Sequence, residues 1–298
     1  MRDSGEDAGR GLKLKTVADT VQKLCSASRR HYVNPFADAD WPESIADQWC
    51  TSPELISLYG TGIYEGLSIE QQQWLSFCEA VNFFSLNIHG EKSLIEGLAH
   101  RLYRKGNEVV SPYIHHFLDE ENKHMTYFGG FCLRYAGKVY PDRKMVFARD
   151  YAFGEEDVLF FAKVLVFEEI VDAYNRRMAR DERLAPIIRR INHLHHRDES
   201  RHLAFGRVVL KHLVERYAPS WSLEIRERIA EYLKHYITAT WKEYFNPAVY
   251  KDAGLNDPFG LQEEVFRTPA TRAHLLQVTA GCIRFLKETG ILLEEPQL

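Results

Sequence analysis

The strongest constraint on the fold of this 298-residue chain is a helical hydrophobic period that runs through four consecutive long segments. In the first segment, from Ser68 to Leu102, apolar residues recur every three to four positions and form one broad face. Strand-like alternation bounded by hairpin dipeptides is nearly absent. The sequence therefore predicts an all-α protein built on four long helices.

Capping residues mark the ends of the first two helices. Ser68 and Gln71 have the spacing of a capping box at the start of the first helix. Ser111 and Pro112 predict an N-cap and a first-turn proline for the second helix. We expect the second helix to run to about residue 136, where Gly137 provides a left-handed stop.

The other helices follow from similar signals. Gly154 precedes an acidic first turn that suits a helix N-terminus, so the third helix is expected to run from there to about residue 180. Pro186 opens the fourth, which extends to about residue 217. Further helices are expected over residues 219–245 and about 271–288, with a break at Asn246 and Pro247.

We interpret residues 1–298 as one domain, because no linker or internal repeat divides the chain. Residues 68–217 would form the core bundle, and residues 219–298 would pack around it. The first sixty residues contain three prolines between short helical pieces, which is typical of a wrapping arm, and residues 1–12 are expected to be disordered.

Charge and composition exclude several kinds of partner. With 38 basic and 42 acidic residues in mixed order, the chain has no basic stripe, so we expect no nucleic-acid partner. The most apolar stretch, residues 158–167, is too short and too charged to span a membrane, so no membrane partner is expected either. Five scattered cysteines without a Cys-x-x-Cys pair indicate buried, reduced thiols in a cytoplasmic protein.

Two Glu-x-x-His pairs carry the functional signal. One is Glu121 and His124 on the second helix, and the other is Glu199 and His202 on the fourth, with His195 one turn before Glu199. Residues three and four apart share a helix face, so each set can present its side chains together. Random placement would give about one such pair, but each of these lies on a core helix of a predicted bundle. Paired carboxylate and imidazole groups of this kind build two-metal sites in four-helix bundles.

The neighbours on each helical face select the remaining candidates. Glu91 has apolar neighbours on the first helix, whereas Glu96 has polar ones, so Glu91 is the candidate metal ligand. On the second helix, Glu121 shares its face with apolar residues and is favoured over Glu120. A solvated acid or an ordinary polar residue is the alternative at each position.

The third and fourth helices leave alternatives open. Glu168 is favoured on the third helix, with Glu169 as an alternative, because their neighbours do not separate them. His196 could compete with His195 on the fourth helix. Asp198 and Asp172 lie near the same faces and could orient ligand imidazoles, with surface salt bridges as the alternative.

Four carboxylates with two or three imidazoles and no thiolate form a hard, oxygen-rich donor set that favours iron or manganese over zinc or copper. The two motifs, residues 120–124 and 198–202, resemble those of ferritin-like di-iron carboxylate enzymes, including acyl-carrier desaturases and ribonucleotide reductase small subunits. With His195 added, the pattern is more similar to the p-aminobenzoate N-oxygenase family over about residues 68–245. The interval between Glu91 and Glu121 is shorter than in the aminobenzoate enzyme.

This resemblance implies a ferritin-like four-helix bundle with additional peripheral helices and a seven-ligand centre. The implied metal ligands are Glu91, Glu121, His124, Glu168, His195, Glu199 and His202. It also implies two iron ions per chain, with manganese as a substitute, and O2 as co-substrate. The expected reaction is N-oxygenation of a small-molecule amine in secondary metabolism, such as antibiotic biosynthesis. An external electron donor is expected because the chain has no flavin or nicotinamide fingerprint, and we expect a homodimer.

Three other functions stay open. The first is a di-iron hydroxylase or desaturase that acts at carbon, including on carrier-bound substrates. The second is a bundle that stores metal or is purely structural. In the third, the motifs are exposed Glu and His pairs on an ordinary helical protein.

Overall fold

Four long helices form the core of the molecule in the computed structural model, which describes residues 4–37, 40–142 and 149–298, with residues 4–14 described by their backbone alone. The core helices are α3 (Ile69–Arg101), α4 (Ser111–Phe131), α5 (Glu155–Met178) and α6 (Pro186–Tyr217). Around them lie α1 (Ser4–Arg30), α2 (Gly62–Glu65), α7 (Leu223–Tyr244), α8 (Pro247–Asp252), α9 (Pro258–Phe266) and α10 (Pro269–Glu288). No β-strand occurs in these described ranges, where Trp49 and Leu184 form one isolated bridge. The all-α prediction is confirmed.

The ends of the core helices follow their capping residues. The capping box of Ser68 and Gln71 is present in both directions at the start of α3. A π-helical turn, Cys132–Ala136, follows α4, and Gly137 ends it with a φ of 67°, a left-handed conformation that glycine adopts without a steric penalty. Val110 and not Ser111 is the N-cap of α4. Ser111 is instead the first residue of α4, and its hydroxyl donates to the Asn107 carbonyl.

Helices α3 and α5 run antiparallel, and two close contacts between them are seven residues apart on each helix. The ring of Phe83 stacks on Tyr174, and seven residues further along α3 a Cβ on Gly90 would lie 2.3 Å from Cζ of Phe167. Glycine at position 90 therefore lets the two backbones approach closely beside Glu91. This register brings the middle of α3 and the middle of α5 to the same level of the bundle.

The segment before α3 wraps the bundle, as predicted for the arm. The amide of Cys50 donates to Ser76 Oγ at 3.0 Å, and the hydroxyl of Thr51 donates to the Ser76 carbonyl at 2.9 Å. Residues 4–12, for which disorder is predicted, form the start of α1, while residues 1–3 lie outside the described part of the chain. Buried Val17 and Val21 on α1 pack in the core and anchor this helix.

The C-terminal region contains more helices than the pattern predicts. The break at Asn246 and Pro247 is the start of α8, whose N-cap is Asn246, and α9 follows before α10. Both are too short for a hydrophobic period to reveal them. The five cysteines are buried and free, as expected. In the described part of the chain, no helix has the length and apolarity that crossing a bilayer requires.

Candidate metal centre

The core helices bring all seven predicted ligands into the bundle interior. Each of these side chains is buried, with a residue exposure of 2% or less. Their potential ligand atoms form two groups, and within each group the atoms lie within 4.8 Å of one another. The first group is Glu91, His124 and His195, and the second is Glu121, Glu168, Glu199 and His202.

The first group combines three helices around one carboxylate. Oε1 of Glu91 on α3 lies 3.6 Å from Nδ1 of His124 on α4 and 3.3 Å from Nε2 of His195 on α6. The rings of His124 and His195 have centroids 4.4 Å apart. The Glu-x-x-His pairs alone would not give this set, because its second imidazole is the extra histidine of the α6 stripe.

The second group gathers three carboxylates around one imidazole. Nδ1 of His202 lies 2.9 Å from Oε1 of Glu121 and 3.4 Å from Oε1 of Glu199. Glu168 on α5 completes this group. Its neighbour Glu169 instead forms an ion pair with Arg207, so the structure separates the two acids that the sequence pattern left open.

Two carboxylates lie between the groups. Oε2 of Glu121 is 3.7 Å from Nδ1 of His124, while its other oxygen faces His202. Oε1 of Glu199 lies 2.7 Å from Nε2 of His195 in the first group. Carboxylates placed in this way can bridge two cations, each of which would also have imidazole and carboxylate ligands of its own.

Two further acids support the imidazoles from outside. Asp198 Oδ2 lies 3.3 Å from Nε2 of His124, the position that the orienting role predicted for Asp198 requires. Glu120 Oε2 lies 2.9 Å from Nε2 of His202. In the neutral tautomer in which Nε2–H donates to this carboxylate, each ring presents the Nδ1 lone pair to the interior, as a metal ligand requires.

One guanidinium joins these two supporting acids. Nη2 of Arg201 donates to Glu120 and to Asp198, the latter at 2.8 Å, and Nε donates to Ser28 Oγ at 3.1 Å. The side chain is buried, so its charge offsets the two carboxylates where water cannot. Sequence spacing did not predict the roles of Glu120 and Arg201. The helical face selected Glu121 as the ligand, but it could not show which residues of α6 Glu120 contacts.

Other predictions for this region need correction. Asp172 contacts His196 Nδ1 at 2.5 Å and the guanidinium of Arg176, so it orients neither His124, His195 nor His202. His196 is half-buried and lies outside both groups, because it faces α5 and not the bundle interior. The alternative acid on α3, Glu96, is exposed.

The oxygen atoms of the grouped carboxylates are buried and available to bind metal ions. Both carboxylate oxygens of Glu91, Glu121 and Glu199 are buried and accept no hydrogen bond from the described residues, and the same holds for Oε1 of Glu168. Burial and the neighbouring Glu121 raise the pKa of Glu91 well above its usual value. Desolvated carboxylates of this kind are costly without a compensating cation, so the residues fit a dinuclear centre.

The three imidazoles differ in charge preference. Burial opposes protonation of His124, but the nearby carboxylates of Asp198, Glu121 and Glu91 raise its pKa well above the usual value. Burial, together with His124 and His202, lowers the pKa of His195 well below the usual value. His195 is therefore a neutral donor, the form in which an imidazole binds metal.

The helical bundle and the two ligand groups define a ferritin-like protein with a dinuclear carboxylate and histidine centre. The chain belongs to the p-aminobenzoate N-oxygenase AurF family, whose model matches residues 15–290. Family and site together make it an oxidoreductase of the dinuclear metal oxidase class. The predicted family and fold are confirmed.

Two relatives align with nearly the full length of this chain. The uncharacterized protein Rv0885 of Mycobacterium tuberculosis and the uncharacterized protein Mb0909 of Mycobacterium bovis are each 26% identical over 305 aligned positions, which cover 95% of this chain and 86% of theirs. Among solved structures, a variant of the R2-like ligand-binding oxidase with a Mn/Fe cofactor matches with a TM-score of 0.50 and 16% identity. Another variant, with a Fe/Fe cofactor, matches with a TM-score of 0.50 and 15% identity. Each solved structure is covered to 93% and this chain to 91%, and these matches support the fold.

Proposed function

We propose that the protein is a non-haem di-iron oxygenase that uses O2 to oxygenate the nitrogen of a small-molecule amine. The proposal rests mainly on one observation: His195 joins Glu91 and His124 in the first group, next to the second group of one imidazole and three carboxylates. The family to which the chain belongs supports oxidation at nitrogen, since its name is that of an N-oxygenase.

The seven grouped side chains are the metal ligands in this proposal. Glu91, His124 and His195 would hold one ion, and Glu168 and His202 the other, with Glu121 and Glu199 shared between them. Iron fits this oxygen-rich set, and manganese can replace it. Two bound iron ions would supply electrons to O2 and neutralise the charge that develops on its oxygen atoms.

The chain itself fixes the donors and excludes water. Asp198 and Glu120 hold His124 and His202 with Nδ1 facing inward, and Phe117 covers one face of His202 at a centroid distance of 3.9 Å. The buried carboxylates are thus preorganised, so binding the ions costs little rearrangement. A dry site also protects a reactive oxidant from side reactions.

The overall balance requires a reductant. Insertion of one oxygen atom into an N–H bond converts R–NH2 to R–NHOH, and the second oxygen atom leaves as water after taking up two electrons and two protons. The electrons come from an external donor in this proposal. We also propose a homodimer located in the cytoplasm, with a role in secondary metabolism such as antibiotic biosynthesis.

The deciding experiment is aerobic turnover of the reduced, iron-loaded protein with a panel of aryl and alkyl amines under 18O2, read by mass spectrometry. We expect hydroxylamino, nitroso or nitro products that carry the label. Labelled products oxidised only at carbon would identify a hydroxylase instead. An unlabelled, desaturated product would identify a desaturase. A metal-loaded shell of many subunits without O2-dependent turnover would indicate storage.

A further inference from the structure

A small cavity lies near the N-terminal end of α3. Helices α3, α5 and α7 and the segment before α3 meet there. Its volume is about 20 Å³, room for one group of the size of a water molecule or an ammonium nitrogen. The lining includes the buried side chains of Glu79, Phe83, Tyr174, Tyr244 and Phe245. None of the metal-centre residues lines it.

Glu79 gives this cavity a buried carboxyl group. Its residue exposure is 7%, and its Oε1 accepts hydrogen bonds from the amide and the hydroxyl of Ser57. Ser57 in turn accepts a hydrogen bond from the hydroxyl of Tyr250 at 2.9 Å, which holds the arrangement in place. No lysine or arginine is among the residues that line the cavity. A buried carboxylate without a cationic partner is costly, so the site is short of one positive charge.

Aromatic rings form much of the remaining wall. Phe83 stacks on Tyr174 at a centroid distance of 5.5 Å, and Tyr174 lies 5.1 Å from Tyr244. The hydroxyl of Tyr244 is buried and has no hydrogen-bond partner among the described residues. Aromatic faces with a carboxylate and phenol oxygens are the surroundings in which proteins hold organic ammonium groups.

We infer that this cavity binds a protonated amino group. A phosphate or carboxylate would meet Glu79 without any cationic donor to offset the repulsion. A divalent metal would find one carboxylate where it needs several oxygen ligands. An ammonium group can donate to the carboxylate and to the Tyr244 hydroxyl while its carbon side contacts the rings.

The amino group can come from two sources. Glu79 and Glu91 are twelve residues apart on α3, which corresponds to about 18 Å along the helix axis. Between these levels lies the amide of Asn87, which is fully buried and unpartnered among the described residues. The ligand is either the remote end of an elongated diamine whose other end reaches the metal centre, or a separate small ammonium compound. The first source rests on the proposed function, and the second does not.

Calorimetric titration of the full chain with methylammonium chloride at pH 8, against sodium chloride of equal concentration, tests the site. Burial raises the pKa of Glu79 to about 7, so its carboxylate is charged at pH 8. We expect saturable binding by the wild type and by the exposed-acid control Glu96→Gln, and at least tenfold weaker binding by Glu79→Gln. Tyr244→Phe, which keeps the ring, should weaken binding several-fold. Equal binding by the wild type and Glu79→Gln, or no saturable binding by the wild type, would overturn the inference.

Titration of the metal-free and iron-loaded protein with α,ω-diamines and alkyl monoamines of the same length separates the sources. Tighter binding of one diamine length than of methylammonium, lost in Glu79→Gln, identifies the remote end of a substrate. Equal affinity for all primary amines identifies a separate ligand. Because binding is measured without turnover, an absence of N-oxygenated product would count against the proposed function and leave the cavity assignment intact.

Discussion

Nε2 of His202 lies 2.9 Å from Oε2 of Glu120, the acid adjacent in sequence to Glu121, which faces the opposite nitrogen of the same ring. Two consecutive glutamates thus hold one imidazole from both sides. Glu120 would act on the metal only through His202, so it is a positioning residue.

Replacing this supporting acid should weaken metal binding without removing a ligand. For Glu120→Gln we expect about 10- to 100-fold lower affinity for the ion held by His202, because the amide cannot stabilise the donated Nε2–H as the carboxylate does. Competition titration with a chelator measures this. The exposed acid Glu96, changed to Gln, is the control and should keep wild-type affinity. Unchanged affinity in Glu120→Gln would show that the contact does not tune the ligand.

Two adjacent histidines offer a matched pair for testing the third imidazole. His195→Ala should lose metal from the first group and N-oxygenation activity, because Glu91 and His124 would then be the only donors besides the two shared carboxylates. His196→Ala should keep both metals, since this ring is half-buried and bonded to Asp172. Elemental analysis and single-turnover product yield provide the measurements. Full loading with normal turnover in His195→Ala would remove it from the ligand set.

The guanidinium of Arg201 should contribute strongly to stability. Arg201→Gln leaves Glu120 and Asp198 buried without their shared cation, and we expect a loss of about 3 to 5 kcal/mol in the free energy of unfolding. Arg201→Lys should recover only part of it, because an ammonium cannot reproduce the planar fork. Urea unfolding of the metal-free protein measures both variants. A loss below about 1 kcal/mol in Arg201→Gln would contradict a compensating role.

The buried Glu79 should make stability depend on pH. Burial raises its pKa from 4.5 to about 7, so the folded state binds this proton more tightly than the unfolded state. Stability is therefore highest below pH 4.5 for this group and is lost as pH rises toward 7. Ionisable groups near it include Cys78 and the hydroxyls of Tyr140, Tyr174, Tyr244 and Tyr250, whose pKa values are all raised, so they stay protonated in this range.

Glu79→Gln isolates that effect. The difference in unfolding free energy between variant and wild type should shift in favour of the variant by up to roughly 3 kcal/mol between pH 4.5 and 8. Parallel urea titrations across this range provide the measurement. A difference that does not change with pH would mean that Glu79 titrates alike in the folded and unfolded chain.

Much of the core was predictable because it depends on local pattern. The start of α3 follows from Ser68 and Gln71, and the limits of α6 from Pro186 and its periodic apolar face. The grouping of Glu199 and His202 follows from the same helical period. These features need no knowledge of what lies across the bundle.

The remaining features depend on contacts between helices. Glu168 and Glu169 have similar neighbours along α5. Only the packing of α6 against α5 shows that Glu169 pairs with Arg207. In the same way, Asp172 meets His196 and Glu120 meets His202 because of the register between helices. Periodicity on a single helix shows which residues share a face and does not specify the partner.

His195 differs from the other two grouped imidazoles in how its ring is held. Its Nδ1 is buried and has no hydrogen-bond partner in the described part of the chain, and Phe128 contacts the ring edge-to-face at 5.0 Å. On its Nδ1 side this ring is therefore held by packing alone, whereas His124 and His202 each have a supporting carboxylate outside the two groups. A smaller side chain at position 128 should therefore let the imidazole of His195 rotate. An ordinary core phenylalanine thus controls the geometry of one side of the centre.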